Sequence, residues 1–535
     1  MFRSIAVVFS LALTADVLLA QPAAEPVTLD AAKFIDPALP DCGIQKAMDS
    51  LGPKGGTVLL PEGKLELLRS LMVPANVTLQ GRGPVKTTIL SRRTNTCAPL
   101  VKCEGAIITL AKPCDALKVG TTVFVWERHG VSGYMGYYEG HLVKAIDGAT
   151  ITLDGARFRG GDVVRSKDAF IEFGLCSLLT ADCAKGATEL QVADASIFTP
   201  GQAVSVGTGD SNGNESLSFI KEIKGNTLVL ERPIRIEHKI SEKALPRRPA
   251  VWTLFPLITA ENVKGIGVRD LALDCPIKSD ERPHLRRYTL SLIHTYNTED
   301  SLIENVTVRN SFTDGVSVQV GRNVTVRNCV VTGCEGNGFH PGTGLTDSLF
   351  EKNTAKGNGV GLYFCWSNTR QKILNNVFSE NRGGGMTGLG NPNEHYNLLE
   401  GNTIERNGGA GIEINGGQVA KNTLRKNVIR DNSAGAPGKH PGIALYASAE
   451  DAKAYTIEGN TIESTVEPPT QWIGIEEKAF KRGEKMNVCD ENVIRGNKVT
   501  GHKTADILLV GPKTVCEDNG EAKVVRSFAK EETAK

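Results

Sequence analysis

An asparagine returns once per repeat through the second half of the chain, at Asn305, Asn328, Asn353, Asn376, Asn402, Asn427, Asn460 and Asn497. The intervals are 23, 25, 23, 26, 25, 33 and 37 residues. Each asparagine sits in a phrase of the type Ile-Glu-Gly-Asn-Thr-Ile-Glu, and a Gly-apolar-x-apolar phrase follows it. Short β phrases repeating at this period cannot bury their apolar faces singly, but they can as stacked coils of a parallel β-helix. Coils stack about 4.8 Å apart, so equivalent residues stand directly above one another. An inward asparagine at a bend then bonds its own turn and the amide of the next rung, each bond contributing about 1 kcal/mol net. The ladder therefore reads as scaffold rather than site.

Composition agrees with a solenoid of tight turns. Glycine numbers 57 and aromatics are only 6% of the 535 residues. Lysine and arginine total 61 against 60 acidic residues, and a net charge of +1 gives no global field for nucleic acid. The basic stretches Pro246-Arg247-Arg248 and Arg282 to Arg287 read as solvated loop charge. Residues 1–20 read as a signal peptide, with Arg3 before an apolar run and Leu18-Leu19-Ala20 as the cleavage site, so a secreted (extracellular or periplasmic) protein with no membrane span is expected. An oxidising compartment permits the local bridges Cys97–Cys103, Cys176–Cys183 and Cys329–Cys334, although spacing does not fix connectivity. Cys275, Cys329 and Cys365 fall on or near strands and read as small buried thiols. No cysteine or histidine spacing suits zinc and no acidic cluster suits calcium, so no metal or cofactor is expected. A monomer is the expected assembly state.

Residues 21–40 read as a linker, and 41–100 as an N-terminal cap with the first coils. Asp41 is placed to cap a short helix through Leu51, with Ile44, Ala47, Met48 and Leu51 on one face. The strands of 101–245 are longer and duplicated: Val143 to Leu153 parallels Ile220 to Leu230, with an offset of 77 residues. They read as two small inserted antiparallel β modules, able to wall one side of a cleft. Coils resume over 246–511, with Asp270 in the asparagine slot and a polar, basic insertion over 275–297, and 512–535 forms a tail that frays or caps.

The phrases Gly55-Gly56-Thr57-Val58-Leu59-Leu60-Pro61-Glu62-Gly63 and Val77-Thr78-Leu79-Gln80-Gly81-Arg82-Gly83 resemble the opening of secreted right-handed β-helix proteins of the pectate-lyase-like superfamily. The resemblance implies an all-β, right-handed parallel β-helix solenoid whose first coil is covered by a helical cap. Such a cap hides the open strand edges at the solenoid's end. The phrase Asn337-Gly338-Phe339-His340-Pro341-Gly342-Thr343, with the rungs up to residue 420, is similar to mannuronan C5-epimerases and allied polysaccharide lyases. Those epimerases carry Asp-Pro-His-Glu where this chain reads His340-Pro341-Gly342-Thr343. The resemblance therefore implies the place of a cleft, and a polysaccharide as partner, but not the family's catalytic set.

Aligning the Gly-apolar-x-apolar phrases puts Ser317, His340, Tyr363, Thr387, Glu413, Ala444 and Glu476 in one outward column. A second column holds Gln319, Gly342, Cys365, Leu389, Asn415 and Tyr446. His340 and Tyr363 then stand one coil apart, about 5 Å. β-Elimination on a uronate needs a base for the α-proton and a cation against the carboxylate. His340 is assigned as base, Tyr363 as proton donor to the leaving oxygen and Arg370 as cation. Trp366, Asn368, Glu394, His395, Glu413 and Asn415 are candidate substrate-binding residues, with Trp366 a platform for a sugar ring. Two further readings stand beside the lyase. One is a glycoside hydrolase using Glu394 and Glu413, with Asp314 behind them; the other is a non-catalytic sugar-binding or structural solenoid.

Overall fold

The computed structural model describes residues 27–91, 96–128, 135–136, 140–155, 169–208, 215–240, 248–276 and 288–527. The expected signal peptide and most of the basic insertion lie outside these residues. Each regular coil carries three short strands with a bend between each pair. In one coil these are Leu349–Glu351, Thr354–Lys356 and Val360–Tyr363. The first two strands of each coil join a 22-stranded parallel sheet, and the third joins a facing parallel sheet of 12 strands.

Strand alternation sends every second residue inward, and parallel register stacks those residues into columns. Val326, Phe350, Ile373, Leu399 and Leu424 form one interior column. Val331, Ala355, Phe378, Ile404 and Ile429 form the second. Phe339, Leu362, Met386, Ile412 and Ile443 form the third, from the facing sheet. All are fully buried.

Three ladders of amides, rather than one, line the bends between these columns. In the first, Asn353 donates from its backbone N and its Nδ2 to Asn376 Oδ1 at 2.9 and 3.0 Å, and from Nδ2 to Val326 O at 2.9 Å. The pattern repeats through Asn402, Asn427, Asn460 and Asn497 to Asn519. A second ladder runs Asn358, Asn381, Asn407, Asn432 and Gln471. At the third bend Gln371 donates to Asn397, and Asn397 to Asn422, both at 2.9 Å. Asn305 and Asn328, counted from the sequence as rungs, do not belong to the inner ladder. Both are exposed at left-handed bends, with φ 51° and 53°, and Cys329 fills the inner slot, donating from its backbone N to Asn353 Oδ1. Asparagine suits both places for different reasons, as a bonding amide inside and as a tolerant left-handed residue outside.

The long intervals leave the ladder intact. Asn427 and Asn460, 33 residues apart, bond at 3.0 Å, and Asn460 and Asn497 at 2.9 Å across 37 residues. The additional residues of the last coil include an antiparallel hairpin of Phe480–Arg482 and Lys485–Asn487.

The inserted modules are present as antiparallel sheets of seven and six strands between Thr96 and Trp252. The duplication extends to geometry. Val143 pairs with Leu153 and Ala145 with Thr152, while Ile220 pairs with Leu230 and Glu222 with Val229. Lys144 and Lys221 thus occupy the same bulge in the two hairpins. The solenoid closes across both modules, since Thr88 pairs directly with Ala272.

Several expectations need correction. The capping helix spans Ile44–Asp49 and begins after Gly43 at φ 76°, while Asp41 accepts a bond from the Gly43 N–H instead of capping the helix. Ile44, Ala47 and Met48 do face the core. Thr28–Asp30, within the expected linker, is a strand paired in parallel with the Gly56–Leu59 strand. The tail contributes final rungs at Val515–Glu517 and Val524–Arg526. Cys183 and Cys329 are free thiols, so neither the Cys176–Cys183 nor the Cys329–Cys334 bridge forms. Among the described residues no helix is long and apolar enough to cross a membrane.

Candidate functional site

The facing sheet aligns His294, Ser317 and His340 in successive coils, followed by Tyr363 and Thr387. Glu413, Ala444 and Glu476 continue the column. The expected second column fails at Leu389. Gly388, at φ 83°, inserts a bulge, so Leu389 pairs with Ile414 and turns into the core at 1% exposure. A Cβ at Gly388 would stand 2.3 Å from the Phe364 carbonyl oxygen, so only glycine admits this path.

Asp314 sits at the bend before the Val316–Gln319 strand, one coil below His340. Its Oδ1 accepts from the Asn337 backbone N at 2.7 Å and from Asn337 Nδ2 at 2.9 Å. Its Oδ2 accepts from His340 Nδ1–H at 2.6 Å. Both groups are buried, His340 at 4% exposure and Asp314 likewise at 4%. Tyr288 and Tyr363 meet the His340 ring edge-on, with centroids at 5.4 and 5.1 Å. Burial opposes a charged imidazole, but the hydrogen bond and charge of Asp314, with a further contribution from Cys365, outweigh it and raise His340 to about 9. His294 shows the opposite balance. Burial, Arg235 and the His340 charge lower it to about 3, so it stays neutral. The column thus pairs one charged and one neutral histidine two rungs apart, a division of states that acid–base sites exploit.

The second inserted module walls the column's lower end. Leu217, Glu231, Arg232, Pro233 and Arg235 from the module face Glu261 across a groove of about 260 Å³. A smaller hollow beside it reaches Thr259 and His294 of the column, and Arg235, Glu215 and Thr289 also line it.

The remaining sequence candidates disperse. Arg370 does not converge on His340: it lies at a left-handed, exposed bend, its guanidinium paired with Asp347 at 2.5 and 2.9 Å. Trp366 is 57% exposed. Asn368 is buried and donates to the carbonyls of Pro341 and Cys365, a scaffold role. Glu394 is fully buried, accepting from the Gly390 and Asn391 N–H groups at 2.7 and 3.1 Å, and burial raises its pKa well above the usual carboxylate range. It closes its own bend. His395 is half-buried in the same turn stack as Arg370, whose N–H donates to the His395 carbonyl. Glu413 is half-buried in the column, and burial raises its carboxyl. The Asn415 carbonyl and side chain accept from the Ser448 hydroxyl at 3.4 and 3.3 Å.

Sequence reasoning did not single out Tyr288 and His294, and it placed Asp314 behind Glu394 and Glu413 rather than against His340. Asp314 was detectable, because the rung alignment that places His340 puts it at the preceding bend. Tyr288 lies at the edge of an insertion with no repeat to index it.

Residues 291–462 match a family model described as the right handed beta helix region, and the chain is a right-handed parallel β-helix. None of the curated proteins matches it. Among solved structures, the chain is similar to the AlgE6 A-module of mannuronan C-5 epimerase from Azotobacter vinelandii. Identity is 14%, coverage 94% of this chain and 100% of that one, and the TM-score 0.47. It is also similar to the catalytic unit of a GH87 α-1,3-glucanase from Streptomyces thermodiastaticus, at 10% identity, 95% and 68% coverage and a TM-score of 0.45. A periplasmic alginate epimerase, AlgG, aligns at 11% identity over 50% of this chain and 70% of its own, with a TM-score of 0.36.

Proposed function

We propose that the protein is carbohydrate-active and acts on an extracellular or periplasmic acidic polysaccharide, by β-elimination or related uronate chemistry, at the column centred on His340. The observation that carries this reading is the Asp314–His340 pair, set edge-on against Tyr288 and Tyr363 in the column whose His294 lines the smaller hollow beside the groove. The α-proton of a uronate becomes removable when a cation neutralises its carboxylate. With Asp314 beside it, His340 is charged up to about pH 9 and suits that cationic role better than the role of base. Arg370, occupied by Asp347 in a distant bend, is not needed. Tyr363 is then the group placed to exchange a proton with the sugar. Arg235 adds positive charge to the groove wall for an anionic polymer.

The test is a panel of uronate polymers followed by the ultraviolet absorbance of unsaturated product. The His340→Ala variant is expected to lose at least about 100-fold in kcat/KM. Arg370→Ala should stay within about twofold, as for an exposed ion pair. Since the charged form of His340 is the working one, activity should fall as pH rises through about 9. No absorbance rise with any uronan sinks the elimination chemistry. The burial of His340 favours a second reading, a solenoid that binds polysaccharide without turning it over. Retention on an immobilised uronan without product would identify it.

A further inference from the structure

Cys365 lies one rung beyond His340 in the second outward column, and the uronate scheme does not use it. The Thr343 hydroxyl stands 3.3 Å from its Sγ. The Trp366 backbone N–H and the His340 imidazole both favour the thiolate form of that sulfur. On the other edge of the ring, Nδ1 is fixed by Asp314 at 2.6 Å. The His340 Nε2 atom is buried and makes no hydrogen bond, and Cys365 on the next rung is a neighbour that favours the charged ring. Asp314, His340 and Cys365 thus form a relay across three successive coils. They do not converge on a common point as metal ligands would.

The contrast with other thiols is informative. Burial raises Cys183 to about 11 and Cys329 and Cys489 to about 12. Burial acts in the same direction on Cys365, but His340, Thr343 and the Trp366 N–H outweigh it and hold the thiol below its ordinary value. Burial also acts on the other titratable groups around the sulfur. It raises Tyr288 to about 12 and Glu394 well above the usual carboxylate range.

We propose that Cys365, with His340 as its imidazolium partner and Asp314 as the positioning residue, is a nucleophilic thiolate and a site of oxidative modification by small hydroperoxides. The reactant must be small, because Cys365 is only half-buried but His340 is 4% exposed. The thiolate attacks one oxygen of hydrogen peroxide, forming an S–O bond and breaking the O–O bond. The departing hydroxide takes the proton of the His340 imidazolium and leaves as water. Sulfur is oxidised by two electrons to the sulfenic acid, and the peroxide supplies the oxidant. This proposal stands whether or not the protein acts on a uronan, since its test contains no sugar.

The full-length protein is treated with hydrogen peroxide and dimedone, and labelled peptides are quantified by mass spectrometry. Cys516 is the internal control, half-buried and raised by burial. At about pH 7, Cys365 is expected to label at least about tenfold faster than Cys516. His340→Gln and Asp314→Asn should bring it down to the control rate. The unsubstituted protein supplies a measurement independent of any folding defect. Alkylation of Cys365 by iodoacetamide should persist on acidification below the range where Cys516 has stopped reacting. Equal rates for the two cysteines, or a Cys365 rate unchanged in a folded His340→Gln variant, would overturn the proposal.

Discussion

Replacing Asp314 with asparagine is expected to invert the pH dependence of stability around His340. In the native protein the imidazole has its pKa raised from 6.5 to about 9. A group raised on folding contributes stability that is fully present below its unfolded pKa and is lost as pH rises through its folded one. The window therefore runs from about 6.5 to about 9, and the contribution at its acid end is roughly 3 kcal/mol. In Asp314→Asn the charge partner is gone and burial, the largest single influence on the ring, is opposed only by Cys365, so the folded pKa is expected to fall below 6.5. Stability then declines as pH falls, the reverse slope. Thermal melts of both proteins across this range, with NMR titration of the ring, give the comparison. Parallel melting curves would show that Asp314 does not hold the histidine charged. The carboxylate's removal also leaves the Asn337 N–H and amide without their charged acceptor, so an overall loss of about 3–5 kcal/mol accompanies the inversion.

The second large effect lies in the scaffold. Asn402→Ala should destabilise the protein by about 3–5 kcal/mol, because each buried polar group left unsatisfied costs about 1–3 kcal/mol. The Asn376 N–H and its amide lose their acceptor, and the Ile373 carbonyl and Asn427 Oδ1 each lose a donor. Asn305→Ala is the matched control. It removes an asparagine from the same sequence phrase, but from an exposed bend where its amide meets only Asp270 at 2.7 Å, and it should cost under about 1 kcal/mol. Urea unfolding of the pair measures the difference. Equal costs would mean that the inner amides are solvated or replaceable. Because a solenoid contacts only its neighbours, Asn402→Ala is also the variant in which a second, partial transition is expected.

The contrast between these asparagines marks what the sequence could reveal. Strand period, coil length and rung register were legible, because the register repeats and each coil tests the one before. His340 over Ser317 and Tyr363 over His340 follow from that register alone. The inner slot was misread at Asn305 and Asn328 because one residue type serves two neighbouring positions, one in the buried bend and the other at the left-handed residue beside it. Gly388 defeated the second column, since a single bulge shifts all later partners and has no signature beyond a glycine in a glycine-rich segment. Arg370 looked like a cation free to act. Its partner Asp347 is 23 residues away in the sequence and one coil away in space, a relation set by the coil length. The groove was the least legible part. Its far wall belongs to a module inserted outside the repeat, so no periodicity connects Arg235 to His294.

The closure of Thr88 onto Ala272 separates the protein's history from its architecture. Whatever leaves a coil at a bend must only return to the same rung, whether it is a short hairpin or a pair of whole sheets. The wall of the groove is thus removable in a way its floor is not. Exchange of the second module for another would change the wall that faces Glu261 while the pairing of Thr88 with Ala272 could stay as it is.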